Sequence, residues 1–156
     1  MSLRVAIQMD PLEHVNIDGD TTFALAETAQ ARGMEIFVYG PQDMSLEGTR
    51  VTARVRPAKV QRVPGTPGVF GEAVTLDLAK DIDVVLMRQD PPFHLGYISS
   101  ALLLDRLKGT TLVVNDPREV VNAPEKMFVL DYAQYMPPTL VARHLDDLRD
   151  FQKKHG

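Results

Sequence analysis

The stretch Asp81–Phe93, DIDVVLMRQDPPF, is the part of the sequence that decides the predicted fold. Its apolar run Val84–Met87 is short and continuous, which is typical of a strand buried on both faces of a parallel sheet. Polarity changes abruptly at Arg88, and Pro91-Pro92 then stops the strand because proline has no N–H to donate. The stretch therefore predicts a buried strand that delivers charged side chains to its carboxyl end, where open α/β sheets bind ligands.

Two charged side chains, Arg88 and Asp90, follow the predicted strand. An unpaired cation at the end of a buried strand is costly, so Arg88 requires an anionic partner. That partner can be a bound anion or carboxylate, which would make this strand end a functional site. It can equally be a nearby aspartate in a structural ion pair, and the stretch by itself favours neither interpretation.

Composition excludes several classes of protein. At 156 residues the chain can bury one substantial core, and its net charge of −4 argues against a nucleic-acid-binding domain. The absence of cysteine excludes disulfides, a thiol nucleophile and a zinc-thiolate site. No apolar run reaches the length of a membrane span, and the amino-terminus lacks the apolar core of a signal peptide. We therefore expect a cytoplasmic protein without membrane or nucleic-acid partners.

Strand and helix patterns alternate along the rest of the chain. Strands are predicted near residues 3–9, 34–39, 83–87 and 112–114, and helices near 21–32, 95–108 and 145–155. Asp20 is expected to cap the first helix and Gly33 to end it. Because strand, helix and strand joined in this order form right-handed parallel units, the pattern predicts an α/β fold with a mostly parallel sheet.

The segment Thr49–Val63 is predicted as an antiparallel hairpin inserted in the parallel sheet. Apolar and polar residues alternate along it, and a turn is expected at Pro57-Ala58. One face carries Arg50, Thr52, Arg54 and Arg56. This basic face can attract an anion or an acidic partner, or its charges can protect an exposed sheet edge against aggregation. Edge protection is the simpler interpretation.

Three predicted strands end in the same dipeptide, at Asp10-Pro11, Asp90-Pro91 and Asp116-Pro117. If these strands are parallel, the three aspartates lie at one edge of the sheet and form a polar-walled cleft with Arg88. Aspartate followed by proline is also a common exit from a strand, which accounts for most of each instance. The loop Pro11–Gly19 at this edge is longer than most strand-to-helix loops.

Lys126 is expected in the first turn of a helix predicted over Asn122–Asp131, with Asn122 and Glu125 as a variant capping box. A cation is unfavourable in that turn because the helix dipole is already positive there. An anion bound between the lysine and the helix amides would explain its presence. A lysine that bends away into water also explains it, and the residues alone favour this second explanation.

Several blocks of the sequence, in matching order and spacing, resemble the N-terminal domain of bacterial glutathione synthetase. The most specific is L-M-R-x-D-P-P-F, which occupies Leu86–Phe93. The others are M-D-P at 9–11, N-I-x-x-D-(S/T)-T-F-A-L at 16–25, V-N-x-P at 114–117 and N-x-x-E-K-(L/M)-F at 122–128. The resemblance covers nearly the whole chain, from Val5 to about Phe151.

The resemblance implies the activity of that family. Glutathione synthetase joins γ-glutamylcysteine to glycine and uses ATP and magnesium through an acyl-phosphate intermediate. In the family, the arginine matching Arg88 lies near the reacting groups and is taken as catalytic, and the lysine matching Lys126 contacts an ATP phosphate. The loop after the first strand faces the peptide substrate, so Asp10, Asn16 and Asp90 become candidate substrate-binding residues.

The fold implied by the resemblance is the three-layer, Rossmann-like domain that precedes an ATP-grasp domain. Residues 1–143 are expected to form this domain, and residues 144–156 a helix that leads towards the ATP-grasp domain. The family's glycine-rich phosphate loop and magnesium carboxylates have no counterpart in the sequence. We therefore assign no metal ligand and expect the chain alone to be inactive. We also expect a homo-oligomer.

Two other functions remain open. One is a stand-alone, flavodoxin-like domain that binds a small anion, or regulates through it, at the same strand-edge cleft. The other is an interaction domain that works through the basic face of the predicted hairpin. Arg88 and the Pro91-Pro92 turn have no role in a receiver-type regulator, which favours the ligase domain.

Overall fold

The computed structural model describes residues 2–156, apart from the side chain of Glu125. Contacts within the chain divide it into two compact units. The first ends at Asn122 and contains the sheet, and the second covers Ala123–Gly156.

The first unit contains both strands and helices. Its strands are β1 (Arg4–Gln8), β2 (Glu35–Tyr39), β3 (Met44–Glu47), β4 (Arg50–Val60), β5 (Gly68–Phe70), β6 (Val74–Asp77), β7 (Val84–Met87) and β8 (Leu112–Val114). Its α-helices are α1 (Thr21–Ala31), α2 (Leu95–Asp105) and α3 (Pro117–Asn122), and short 3₁₀ helices cover Leu12–His14 and Pro41–Asp43.

The centre of the sheet is parallel and has the strand order β2-β1-β7-β8. β7 lies between β1 and β8, so the predicted interior strand is confirmed. Helix α1 packs on one face of the sheet through Phe23 and Ala26, and α2 packs on the other through Ala101 and Leu104. The α/β class and the three-layer arrangement are therefore confirmed.

Both local signals that bound α1 are confirmed. Asp20 Oδ1 accepts a hydrogen bond from the Phe23 N–H at 2.9 Å, which caps the helix. Gly33 has a φ of 78° just after the helix, a left-handed conformation that glycine adopts without steric cost. Because the cap sets where α1 begins, Thr21 and Thr22 occupy its first turn.

The antiparallel part of the sheet is present, but its path differs from the predicted hairpin. β4 runs straight through Pro57, so the turn expected at Pro57-Ala58 is wrong. Pro57 lies opposite the interruption between β5 and β6, where no ladder hydrogen bond requires its missing N–H. Ala58 pairs with both β2 and β5, which makes β4 an interior strand. Its basic face therefore does not protect an exposed edge.

The second unit contains α4 (Glu125–Phe128), a 3₁₀ helix over Val129–Tyr135 and α5 (Leu145–His155). The single helix predicted over Asn122–Asp131 is wrong, because Asn122 is the last residue of α3 and not a cap. Pro124 separates the two helices, since a residue that precedes proline is pushed out of helical geometry. No helix within residues 2–156 has the length and apolar content needed to cross a bilayer.

Candidate functional site

The carboxyl ends of the neighbouring parallel strands β1 and β7 lie side by side at the centre of the sheet. After β1 the chain forms α1 on one face, and after β7 it forms α2 on the other. Where neighbouring parallel strands send their connections to opposite faces, a ligand-binding crevice opens between the strand ends. Gln8–Asp10 lies at the end of β1, and Arg88–Asp90 directly follows β7. We call these two segments together the switch-point crevice.

The aspartates of the crevice are joined directly. The backbone N–H of Asp90 donates to Oδ2 of Asp10 at 2.8 Å, so the two Asp-Pro exits hold each other in place. Asp116 has a different role, since its Oδ1 accepts from the Arg118 N–H at 2.9 Å at the start of α3. The shared sheet edge is thus present, and the local explanation of Asp-Pro is sufficient for Asp116.

The guanidinium of Arg88 is held by two hydroxyl groups. Its Nε donates to Thr22 Oγ1 at 3.1 Å, and its Nη2 donates to Thr21 Oγ1 at 2.8 Å. No carboxylate among the described residues forms an ion pair with Arg88, so the structural ion pair considered from the sequence does not form there. Because its partners are neutral, the positive charge remains available to an anion, and hydrogen bonds to an ion are the stronger kind.

Polar atoms are also buried beside the crevice. Gln8 is fully buried at the end of β1, and its Nε2 donates to Oε1 of Gln89. Within residues 2–156, Gln8 Oε1 and the hydroxyl of Tyr39, its register neighbour on β2, are the buried side-chain atoms without a hydrogen-bond partner. Burial raises the pKa of Tyr39, so its hydroxyl keeps the proton at neutral pH.

Tyr97 of α2 belongs to the surroundings of the same crevice. Its ring contacts Phe93, with 5.4 Å between the ring centroids. Burial raises the pKa of Tyr97, while the Arg88 cation opposes this shift and the Asp90 anion adds to it. Both charges therefore act on the Tyr97 hydroxyl, which stays protonated at neutral pH.

Asn16 shapes the loop that leads from β1 into α1. Its Oδ1 accepts from the Asp18 N–H at 3.1 Å, and its carbonyl accepts from the Asp20 N–H at 2.9 Å. Arg62 ties this loop to α1 through Asp18, at 3.6 Å, and Glu27, at 2.7 Å. Asn16 is exposed, so its amide group can still meet a ligand while its oxygen orders the loop.

The structure thus gathers three of the five candidate site residues, Asp10, Arg88 and Asp90, in one crevice, with Asn16 on the adjoining loop. Lys126 lies in the second unit, exposed on α4. That helix has four residues, and so short a helix has little dipole with which to bind an anion. The role of Lys126 therefore rests on the resemblance and stays a prediction.

Sequence reasoning missed four polar residues at the crevice, Gln8, Thr21, Thr22 and Tyr97. Two of them had a signal, because Thr21 and Thr22 directly follow the cap Asp20 and lie within the D-(S/T)-T-F-A-L block. Gln8 had a weaker signal, as a polar residue between the apolar Ile7 and Met9. Nothing in the sequence distinguishes Tyr97 from other residues of a helix, and only the packing of α2 shows that it lies near the crevice.

Comparisons with known proteins confirm the resemblance to glutathione synthetase. The family model for "Prokaryotic glutathione synthetase, N-terminal domain" matches residues 3–120. Glutathione synthetase of Rhodopseudomonas palustris is 49% identical over 156 residues, which cover 100% of this chain and 50% of that protein. The enzyme of Bradyrhizobium diazoefficiens is 48% identical over 156 residues, 100% of this chain and 49% of its own length. That of Pseudomonas putida is 38% identical over 157 residues, again 100% of this chain and 49% of the relative.

The chain therefore spans about half the length of the curated relatives it matches. The family match covers most of the first unit, including the sheet, the threonines of α1 and the whole switch-point crevice. The chain belongs to the family of prokaryotic glutathione synthetase N-terminal domains.

Proposed function

We propose that this chain is the substrate-side domain of a glutathione synthetase, the ligase that joins γ-glutamylcysteine to glycine with ATP through an acyl phosphate. The family match over residues 3–120 carries the proposal. The crevice supports it, because a ligase of this kind must bind a carboxylate that becomes an acyl phosphate, and Arg88 offers a cation with neutral partners only.

Arg88 has the catalytic role in this proposal. Phosphorylation of a carboxylate places growing negative charge on the transferred group, and a prepositioned guanidinium stabilises that charge in the transition state. The hydroxyls of Thr21 and Thr22 hold the guanidinium in position. Asp10 and Asp90 line the same crevice and bind the peptide substrate, together with Asn16 on the loop.

ATP and magnesium belong to the complete enzyme. ATP, when bound, supplies the phosphoryl group that activates the carboxylate, and Lys126 is the residue of this chain that we assign to one of its phosphates. The described residues contain no group of three or more acidic, histidine or cysteine side chains suited to a metal ion. We therefore assign no magnesium ligand to the described residues.

The proposal is tested with the full-length protein that carries this domain. Release of ADP is measured with γ-glutamylcysteine and glycine together and with each omitted, and glutathione is identified by mass spectrometry. The 156-residue chain alone is the negative control, since it lacks the family's phosphate loop. Full-length protein that makes no glutathione would overturn the proposal. Light scattering of the same preparation checks the expected homo-oligomer.

Lys126→Ala in the full-length enzyme should raise the KM for ATP about ten- to a hundredfold and leave kcat nearly unchanged. The physical reason is that a contact to a non-reacting phosphate is equally strong in the ground and transition states. Steady-state kinetics with ATP varied measure both constants. Lys154→Ala on α5 is the matched control and should behave as wild type. An unchanged KM for ATP in a folded Lys126→Ala enzyme would remove Lys126 from the nucleotide site.

A further inference from the structure

A cleft of about 380 Å³ lies next to the switch-point crevice in the first unit. Its walls are formed by the residues that follow β1 and β2, and its floor by β4 and β5. The charged residues that line it are Asp10, Glu13, Asp43, Arg54 and Arg56. Its volume lies within the range of small-molecule pockets, about 300–1,000 Å³. We call it the β4 cleft.

The two arginines of the β4 cleft neither protect a sheet edge nor form an ion pair with a described residue. Arg54 and Arg56 lie on the same face of an interior strand, so they protect no edge. Neither forms an ion pair with a described carboxylate, whereas Arg50 on the same strand is paired with Asp77 at 2.9 Å. Like charges two positions apart on one face repel each other, and an anion between them would relieve that repulsion.

Arg56 is also held in place. Its guanidinium lies over the Phe70 ring, 4.4 Å from the centroid, and its Nε donates to the Gly71 carbonyl at 3.4 Å. These contacts leave its two terminal nitrogens without a hydrogen-bond partner among the described residues. The Arg54 side chain makes no hydrogen bond with any described residue. The floor formed by β4 therefore offers a carboxylate the terminal donors of Arg56, which is held in place, and those of Arg54 beside it.

The acidic side of the cleft has one carboxylate without a partner. Asp10 accepts a hydrogen bond from the Asp90 N–H at 2.8 Å, and Asp43 accepts one from the Gly40 N–H at 2.9 Å. Both carboxylates therefore stabilise the local backbone. Glu13 has no hydrogen bond or ion pair within the described part of the chain. The β4 cleft therefore presents two available cations and one available anion that do not pair with each other, a charge pattern that fits a zwitterion.

We propose that the β4 cleft binds the γ-glutamyl end of the peptide substrate as a zwitterionic α-amino acid. Arg54 and Arg56 take its α-carboxylate, and Glu13 takes its α-ammonium group. This inference rests on the proposed function, which supplies a substrate with such a group at the end opposite the reacting carboxylate. Asp10 belongs to both places, so a bound dipeptide can extend from the cleft to Arg88.

The test uses the full-length enzyme and three dipeptides, with glycine and ATP saturating. They are γ-glutamylcysteine, 4-aminobutanoylcysteine, which lacks the α-carboxylate, and glutarylcysteine, which lacks the α-amino group. Wild-type kcat/KM should fall about ten- to a hundredfold for each analogue, as expected for the loss of a charge-assisted hydrogen bond. Wild-type activity with γ-glutamylcysteine tests the proposed function separately.

Each variant of the cleft should lose the ability to discriminate against one of the two analogues and keep it for the other. In the double variant Arg54→Met and Arg56→Met, γ-glutamylcysteine and 4-aminobutanoylcysteine should become equally poor substrates, while glutarylcysteine stays disfavoured. Glu13→Gln should give the reverse pattern. Arg106→Met and Glu47→Gln, exposed residues outside the cleft, are the matched controls and should discriminate as wild type does.

Two results would overturn the assignment. One is an active wild-type enzyme whose kcat/KM for both analogues equals that for γ-glutamylcysteine. The other is a set of cleft variants that discriminate between the three dipeptides as wild type does. If the double variant does not fold, the single variant Arg54→Met is used for the same comparison. The Arg54 side chain makes no hydrogen bond or ion pair with described residues, so its removal should not disturb the fold. A wild-type enzyme inactive on γ-glutamylcysteine overturns the proposed function and this inference together.

Discussion

Arg88→Ala in the full-length enzyme should lower kcat about ten- to a hundredfold and change the KM for ATP much less. The guanidinium has neutral partners in the crevice, Thr21 and Thr22, so its charge is free to act on the substrate. A contact that strengthens as negative charge grows on the acyl phosphate acts on the transition state more than on the ground state. Its loss therefore falls on the chemical step. Steady-state kinetics with ATP and with γ-glutamylcysteine varied separate the two constants.

The same contacts define the control for this prediction. Arg88 ties the start of α1 to the end of β7, so its removal can also loosen the fold. Thermal unfolding of Arg88→Ala must therefore be compared with that of wild type, and Arg106→Ala serves as an exposed arginine variant away from the crevice. Wild-type turnover in a folded Arg88→Ala enzyme would mean that Arg88 only anchors α1.

Phe23→Ala should lower the free energy of unfolding of the 156-residue chain by about 3–5 kcal/mol, because it leaves a cavity in a closely packed core. The Phe23 side chain is fully buried in α1, in the core cluster that contains Ile7 and Ile36. The Arg62 guanidinium also lies 5.3 Å from its ring centroid. Small domains have only about 5–15 kcal/mol in total, so the loss is a large fraction of the stability.

Urea unfolding followed by circular dichroism measures this loss as a shift of the midpoint. Leu25→Ala is the matched control on the same helix, since its side chain is 45% exposed and its loss should cost far less. Equal midpoint shifts for the two variants would contradict the packing of α1 against the sheet.

The parallel centre of the fold could be predicted because its signals are local. The continuous apolar run Val84–Met87 indicates an interior strand whatever its neighbours are, and α1 is bounded by the side chain of Asp20 and the backbone conformation of Gly33. The shared edge of Asp10 and Asp90 then follows from topology, because parallel strands end on the same side of a sheet. These features made both the α/β class and the position of the crevice accessible from the sequence.

Two local predictions were wrong, the turn at Pro57 and the helix cap at Asn122. Pro57 reads as a turn in a hairpin, yet β4 continues through it at the interruption between β5 and β6. Asn122 reads as a helix cap, yet it ends α3 because Pro124 breaks the chain between two helices. For Pro57 the outcome depended on neighbouring strands that the pattern of the segment does not specify, whereas Pro124 lies within its segment and its effect outweighed the capping signal of Asn122.

By itself the sequence determined which segments form the parallel centre of the sheet, which residues cap α1 and which charged residues stand at the carboxyl edge. Only the tertiary structure decided the partners of those charges. Arg88 is held by hydroxyls 66 and 67 residues away and not by an aspartate, and Arg54 and Arg56 face a cleft and not an exposed edge. The physical reason is that strand and helix signals act between near neighbours in the chain, whereas side-chain partners depend on which strands become adjacent and which faces their helices cover.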